Sequence, residues 1–306
     1  MASVGLRRDA RSQAAERNTA SMKCLLLVVG PSGGGKTTAL LRIIENNPGA
    51  KHFALAMDEG LPTLLEREFP HVPHTILDYV DGKWAERTKT GDFLTVCRIT
   101  RFRAAEAAQV LFEGLVQTGA ITAGSWVGLD GWDQLYDQQR GELLHHAEAI
   151  RKKQQGQSDW EAAVSARGRG SPLMDQNDWE AINSFHLGML DYYLQAQPAH
   201  VCATALIEEL GQGREAKGHK DFAEEIHEKV KISGQKKTGR RFAFTLRVGQ
   251  QLNGDHFMRE WKTWGREGYP IAHHNPPITP TTNILLNAGK NNFWARCVEL
   301  FDWQAT

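Results

Sequence analysis

Residues 23–38 read KCLLLVVGPSGGGKTT and carry the most specific pattern in the chain. An apolar run, 24–29, leads directly into residues 30–37, which match G-x-x-x-x-G-K-[ST]. The run predicts a buried strand, and residues 36–46 predict a helix. Bare glycine backbone leaves N–H groups open to a phosphate chain, and the helix directs its positive N-terminus at the same anion. Residues 30–37, the phosphate loop, therefore predict a site for a nucleoside triphosphate.

The polar residues of the phosphate loop predict which groups it binds. In loops of this pattern the lysine, here Lys36, reaches the β- and γ-phosphates, and the hydroxyl of Thr37 is a ligand for Mg2+. We therefore expect ATP and Mg2+ as cofactors and interpret Lys36 as a catalytic residue. The residues expected to bind the nucleotide are Gly30, Pro31, Ser32, Gly33, Gly34, Gly35, Lys36, Thr37 and Thr38.

Composition restricts the class of protein. Lys plus Arg equal Asp plus Glu, at 36 each in 306 residues, so no overall charge marks the chain as a nucleic-acid binder. The four cysteines are widely separated, which favours free thiols in a reducing compartment. No apolar run approaches the roughly 20 residues that a membrane span requires. We expect a cytoplasmic protein, with residues 1–22 forming a disordered tail.

Apolar runs bounded by turn residues predict strands, and stretches with helical spacing lie between them. This alternation predicts an α/β fold with a mostly parallel sheet that is covered by helices on both faces. The predicted strands are 24–29, 52–57, 74–80, 125–130, 200–206 and 240–248. One predicted helical stripe contains Ala108, Leu111, Phe112 and Leu115, and a second, after a possible cap at Asn177, contains Ile182, Phe185, Met189 and Tyr193.

Acidic residues follow two predicted strands at places where they can reach the phosphate loop. Asp130 ends one strand and is interpreted as the residue that holds Mg2+ together with Thr37. Hydrolysis needs a group that orients or deprotonates the attacking water, but Asp130 is followed by Gly131 rather than by Glu. The carboxyl ends of parallel strands line one crevice, so Asp58 and Glu59 should emerge there as well. Glu59 is the predicted catalytic residue, and a solvated acidic turn is the alternative interpretation.

With these features the chain resembles RecA-like ATPases, and more closely the compact phage-encoded RecA-like proteins of recombination and single-strand annealing. The resemblance depends on the phosphate loop, Glu59, Asp130 without a following Glu, and HVCATAL at residues 200–206. It implies that Thr204 is a catalytic sensor of the γ-phosphate, at a position where recombinases usually carry Gln.

The resemblance also has consequences for the architecture. It implies a P-loop NTPase in which strand 200–206 lies between strands 24–29 and 125–130. The RecA-like ATPase domain would cover residues 23–248, and residues 249–306 would form an irregular C-terminal extension. It further implies ATP hydrolysis linked to single-stranded DNA, a homo-oligomer, and the host cytoplasm if the gene is carried by a phage.

Two basic segments are candidates for contacts with DNA. Residues 229–248, KVKISGQKKTGRRFAFTLRV, predict a basic hairpin that could reach DNA phosphates or the nucleotide of a neighbouring protomer. A charged hairpin edge that only promotes solubility would have the same sequence. Residues 259–269 interleave Trp and Tyr with Arg and Lys, as single-strand binding requires. The cations proposed to contact DNA or the nucleotide of a neighbouring protomer are Lys236, Lys237, Arg240 and Arg241.

Other uses of the triphosphate remain open at the level of sequence. GPSGGGKT is also close to the loops of small-molecule and nucleotide kinases, and residues 166–170, ARGRG, could serve as their arginine-bearing lid. Such kinases place the acidic strand next to the phosphate-loop strand, without a strand between them. A motor or loader ATPase of the AAA+ type is disfavoured because Asp130 lacks a following Glu. The strand order therefore distinguishes the ATPase from the kinase.

Overall fold

The structure is a computed structural model, and it describes residues 23–142, 176–195, 198–209, 230–233, 238, 241–242, 244–250, 256–260, 284–286, 293–294 and 297. Several predictions concern residues outside these ranges. They are the tail 1–22, the kinase-type lid at 166–170, the cations Lys236, Lys237 and Arg240, and the aromatic residues within 261–269.

The described ranges contain strands and helices in alternation over most of the chain. The strands are β1 Leu25–Gly30, β2 His52–Ala56, β3 His74–Val80, β4 Lys83–Lys89, β5 Leu94–Arg98, β6 Trp126–Asp130, β7 His200–Glu209, β8 Val230–Ile232, β9 Phe244–Gln250, β10 His256–Glu260 and β11 Ile284–Leu286. The helices are α1 Lys36–Glu45, α2 Gly60–Arg67, α3 Phe102–Gln117, α4 132–142 and α5 Gln176–Gln195.

The strands form one mixed sheet in the order β11-β10-β9-β1-β7-β6-β2-β5-β3-β4, and β8 pairs with β7 off this path. From β9 to β3 all neighbours are parallel, whereas β4, β8, β10 and β11 pair antiparallel. The predicted mostly parallel α/β sheet is therefore confirmed. The predicted position of strand 200–206 is also confirmed, because β7 lies between β1 and β6, with Val28 opposite Thr204 and Gly128 opposite Cys202.

Each face of the sheet buries its own core, as the alternation of side chains along a strand requires. In β1, Leu26 and Val28 pack with the buried residues of α1 and α2. Leu27 and Val29 point the other way and pack with α3, α4 and α5. β1 is apolar at successive positions because both of its faces are covered. This double burial fixes β1 in the centre of the sheet, so the phosphate loop starts from a rigid strand.

The structure differs from the sequence predictions in strand content. β4 and β5 were not predicted; β4, KWAERTK, is a mostly exposed strand at the sheet edge and carries no apolar pattern. In the basic segment 229–248, the described strands β8 and β9 do not pair with each other as a hairpin would require. Within the described residues, β8 pairs antiparallel with β7, whereas β9 pairs with β1 and β10.

The second predicted helical stripe is wrong at one position. In α5, Ile182, Met189 and Tyr193 are buried as predicted, but Phe185 is 42% exposed and His186 is buried instead. Position 186 is one helical turn from both 182 and 189–190, so it belongs to the inward face. Asn177 lies within the helix, which begins at Gln176, and is therefore not its cap.

The described parts of residues 249–306 belong to the same sheet and core. β10 and β11 extend the sheet beyond β9. Phe293, Trp294 and Cys297 are buried in the core that contains α1, and the ring of Trp294 lies 5.6 Å from that of Trp126. No helix in the described part of the chain has the length and apolar character needed to cross a membrane.

Two histidines at the amino ends of strands accept hydrogen bonds from the backbone N–H groups of neighbouring strands. The backbone N–H of Trp126 donates to Nδ1 of His52 at 2.9 Å, and His52 Nε2 donates to the carbonyl of Asn47 at 2.8 Å. The backbone N–H of Cys24 donates to Nδ1 of His200 in the same way, at 2.9 Å. Because Nδ1 of His52 must accept, these contacts hold the ring in its neutral form. Burial lowers the pKa of His52 to about 4.

We predict that stability falls on acidification because of His52. Its folded-state pKa, about 4, is below its unfolded value of about 6.5, so the unfolded chain binds more protons between these limits. Stability is therefore lost as the pH falls through this window. Between pH 7 and pH 4.5, urea denaturation should show that His52→Gln loses about 2 kcal/mol less of its unfolding free energy than wild type does. His71→Gln, at an exposed histidine that pairs with Glu45, is the control. Because an exposed ion pair contributes little, this variant should stay within about 0.5 kcal/mol of wild type over the same window. Equal losses in all three proteins would contradict the assignment.

Candidate nucleotide-binding site

The phosphate loop joins β1 to α1 through a backbone that only glycines adopt easily. Gly33 and Gly35 have φ angles of +72° and +89°, in the left-handed region that is unfavourable for other residues. The N–H of Gly34 donates to the carbonyl of Pro31 at 3.1 Å, which closes the turn, and α1 starts at Lys36. The loop therefore ends at a helix N-terminus, where backbone N–H groups and the helix dipole favour an anion.

Gly30 is required for a different reason. A Cβ atom at this position would lie 2.4 Å from the carbonyl oxygen of Val248 in β9. Any side chain would push β9 away from β1, because the obstacle is backbone and cannot rotate aside. The first glycine of the pattern thus allows the neighbouring strand to pack against the start of the loop.

Lys36 is folded back over the phosphate loop. Its Nζ atom donates to the carbonyl of Pro31 at 2.8 Å. Burial lowers the pKa of Lys36, and the carboxylates of Asp133, Asp130 and Asp58 oppose this by favouring its charged form. The lysine therefore lies in a cluster with three acidic residues, which is the neighbourhood expected for a group that binds phosphate beside a metal ion.

The carboxylate of Asp130 is the most buried charged group of the site, with 2% exposure. It accepts hydrogen bonds from the hydroxyl of Thr37, at 3.0 and 3.2 Å to its two oxygens. It also accepts a hydrogen bond from the hydroxyl of Thr204 at 2.7 Å, and that hydroxyl in turn accepts from the N–H of Gly131 at 2.8 Å. The structure thus brings together Thr37, Asp130 and Thr204, which the sequence places far apart.

These residues fit a Mg2+ ion that is bound jointly with a nucleotide. Mg2+ prefers oxygen ligands and is usually held by one or two protein groups plus water and phosphate oxygens. Thr37 and Asp130 supply a hydroxyl and a carboxylate within 3.2 Å of each other. Burial raises the pKa of Asp130 to about 6, so its charge lacks full compensation by the protein. Among the described residues there is no group of three or more His, Cys, Asp or Glu side chains that could hold a metal.

Glu59 lies at the expected edge of the sheet, but other side chains bind it. It directly precedes α2 and is 55% exposed. Arg87 of β4 donates to it at 3.1 Å, and Arg98 of β5 forms a second ion pair with it. Arg98 also pairs with Asp78 of β3. The catalytic role of Glu59 stays a prediction, and its partners come from the two strands that the sequence did not predict.

Of the four cations proposed for contacts with DNA or a neighbouring nucleotide, Arg241 is the one that the described residues include, and it forms an ion pair within the chain. Its Nη1 atom donates to both carboxylate oxygens of Asp191, at 2.7 and 2.8 Å. Asp191 belongs to α5, so the pair connects this helix to the residues just before β9. The contacts of Arg241 with DNA or a neighbouring nucleotide remain a prediction.

A further acidic residue, Asp133, lies near Lys36. In the structure it lies in the first turn of α4 and accepts the backbone N–H of Leu206 in β7, at 3.3 Å. Burial raises its pKa. Asp133 therefore holds the carboxyl end of β7 beside the site. The spacing of three residues from Asp130, across a strand-to-helix turn, is the only sequence signal that points to it.

Comparison with known proteins gives no independent assignment for this site. No protein-family model matches the chain, and no curated protein shows a significant sequence match to it. The ligand of the site is therefore inferred from its geometry and chemistry.

Asp130→Asn should stabilise the free protein and abolish its response to Mg2+. The folded-state pKa of Asp130, about 6, exceeds the unfolded value of about 4, so ionisation destabilises the fold as the pH rises through this window. At pH 7.5 the variant should gain about 1 to 2 kcal/mol in unfolding free energy, and this gain should vanish near pH 4. Added Mg2+ and ATP should raise the melting temperature of wild type but much less that of the variant.

Asp92→Asn is a matched control for this experiment. Asp92 is 65% exposed and pairs with Lys89 at 3.5 Å, near the opposite, amino end of β5. The control should keep both the wild-type pH dependence and the response to Mg2+ and ATP. A free Asp130→Asn protein that is less stable than wild type at pH 7.5 would contradict the prediction.

Proposed function

We propose that this chain is a Mg2+-dependent ATPase of the RecA-like type. One observation supports this most strongly: the buried carboxylate of Asp130 accepts hydrogen bonds from Thr37 of the phosphate loop and from Thr204 of β7. Carboxylate, loop hydroxyl and sensor hydroxyl are the groups needed around a metal-bound triphosphate. Mg2+ would neutralise the charge that develops on the phosphate oxygens.

The residues of the chain have distinct roles in this proposal. The N–H groups of the phosphate loop and the N-terminus of α1 bind the phosphate chain. Lys36 leaves the carbonyl of Pro31 and contacts the β- and γ-phosphates. Thr204 is hydrogen-bonded to Asp130 and to the N–H of Gly131, so a change at the γ-phosphate can alter these bonds and the position of β7.

The strand order favours this function over a kinase. β7 separates β1 from β6. This intervening strand allows Thr204 to reach Asp130 in addition to Thr37. A kinase of the class considered above has its acidic strand directly beside the phosphate-loop strand. The order thus supports the proposed RecA-like assignment.

We further propose that the ATPase acts on single-stranded DNA in recombination, by annealing or strand exchange, as a homo-oligomer in the cytoplasm. The resemblance to phage recombination proteins supports this, as do the cations that follow β8 in the sequence. β7 carries Thr204 and continues to Glu209, where it pairs with β8. β7 is therefore hydrogen-bonded to the strand that directly precedes these cations in the sequence.

ATP hydrolysis measured with and without single-stranded DNA tests this function. DNA should increase the rate by about threefold or more at about 50 mM salt, and the increase should largely disappear near 200 mM salt because phosphate contacts depend on counterion release. Transfer of phosphate to a nucleoside or sugar, without stimulation by DNA, would contradict the proposal and support the kinase.

Lys36→Ala tests whether ATP binding and hydrolysis depend on the phosphate loop. The variant should lose ATP binding and hydrolysis, because the phosphates lose their cation. Lys51→Ala, at an exposed lysine before the amino end of β2, is the matched control and should keep both. Normal ATP affinity in Lys36→Ala, measured by equilibrium titration with a fluorescent ATP analogue, would exclude the phosphate loop as the nucleotide site.

A further inference from the structure

We propose that Asp58, oriented by Gln134, is the group that positions and deprotonates the attacking water, and that the neighbouring Glu59 is not. This inference rests on the proposed ATPase function and specifies its catalytic base. Both residues follow β2, and both carry a carboxylate. The structure distinguishes them by what surrounds each side chain.

The backbone brings Asp58 next to the residues of the metal site. β2 and β6 are neighbours in the sheet, with Ala56 opposite Asp130. Beyond this pair, the N–H of Met57 donates to the carbonyl of Asp130 at 3.0 Å. Asp58 therefore emerges beside Gly131, at the carboxyl edge where the phosphate loop also ends. A catalytic base has to be close to this edge to reach a water in line with the γ-phosphate.

Two hydrogen bonds fix the Asp58 carboxylate in this place. Its Oδ1 accepts the N–H of Gly60 at 2.7 Å, and its Oδ2 accepts Nε2 of Gln134 at 2.9 Å. Gln134 lies in the first turn of α4, and Gln138, one turn later, donates to the carbonyl of Ile99 at 3.1 Å. α4 is thus tied to the same strand ends. Each carboxylate oxygen retains a second lone pair, and Asp58 is exposed, so a water can donate to it.

The charge of Asp58 acts directly on the phosphate site. It raises the pKa of Lys36 and that of Asp130, so its carboxylate lies within electrostatic reach of both. This agrees with the hydrogen-bond geometry, which directs Asp58 toward α4 and the metal site.

Glu59 faces away toward the edge of the sheet. It binds Arg87 at 3.1 Å and Arg98, which is only 15% exposed and also pairs with Asp78. Moving Glu59 to the phosphate loop would leave the half-compensated guanidinium of Arg98 in a largely buried place, which is unfavourable. Glu59 therefore connects the end of β2 to β3, β4 and β5 and has a structural role.

The proposed step follows from this arrangement. The water oxygen forms a bond to the γ-phosphorus, and the bond from that phosphorus to the bridging oxygen breaks, which releases ADP. The proton of the water passes to the Asp58 carboxylate and leaves with phosphate or solvent. Gln134 keeps the carboxylate in position through Oδ2 and acts as a positioning residue.

Asp58→Asn and Glu59→Gln form a matched pair for the test, since each removes one negative charge from an exposed carboxylate with little change in size. Asp58→Asn should lower kcat about 100-fold or more while the affinity for ATP stays within about threefold. Glu59→Gln should keep kcat within about threefold of wild type. Single-turnover ATP hydrolysis with Mg2+ measures the rates, and equilibrium titration with a fluorescent ATP analogue measures the affinities.

The outcomes separate this inference from the proposed function. A wild-type protein without ATPase activity would overturn both. An active wild type with an active Asp58→Asn, or with Glu59→Gln impaired as strongly as Asp58→Asn, would overturn the inference alone. Should Asp58→Asn fail to bind ATP, Gln134→Leu decides: about a tenfold loss in kcat with little change in KM supports the inference, and an unchanged kcat overturns it.

Discussion

The arrangement of the central strands depends on the burial of one carboxylate, that of Asp130. An isolated buried charge is strongly unfavourable, so it needs hydrogen-bond donors from every direction. Thr37 supplies one from the start of α1, and Thr204 supplies another from β7. Thr204 can reach Asp130 because β7 lies directly beside β6, between β6 and β1. The order of the strands therefore determines which side chains can hydrogen-bond to Asp130.

The sequence predicts the central part of the fold well because burial on both faces leaves a clear apolar signal. β1, β2, β3 and β6 were predicted to within a residue or two, and α1 within one residue at its end. The edge of the sheet leaves no such signal. β4 is mostly exposed and polar, so its strand character depends on pairing with β3 rather than on its own composition. In α5 the buried position of His186 was missed because histidine does not register as apolar.

The site was predictable in its residues but only partly in its contacts. The phosphate loop is recognisable from sequence because its positive φ angles and the close neighbouring strand require glycine at specific positions. Asp58 and Glu59 are different. They are adjacent residues with the same chemistry, and the sequence pattern does not predict the direction in which each side chain points. Their orientations depend on Gln134 on one side and on Arg87 and Arg98 on the other. The two arginines belong to β4 and β5, so an unpredicted sheet edge determines the geometry of the site.

The charge balance of the free site favours a ligand that carries both a divalent cation and a phosphate chain. Lys36 acts on Asp58, Asp130 and Asp133, yet its Nζ atom is bound to the carbonyl of Pro31 rather than to a carboxylate. Three acidic groups thus share one lysine, and Asp130 keeps a raised pKa. A divalent cation would compensate the excess negative charge, and a phosphate chain would draw Lys36 off the loop. Any ligand that supplies both charges binds the folded state selectively and stabilises it by mass action. The same charge imbalance that weakens the free protein would therefore make the proposed site respond to a metal-bound triphosphate.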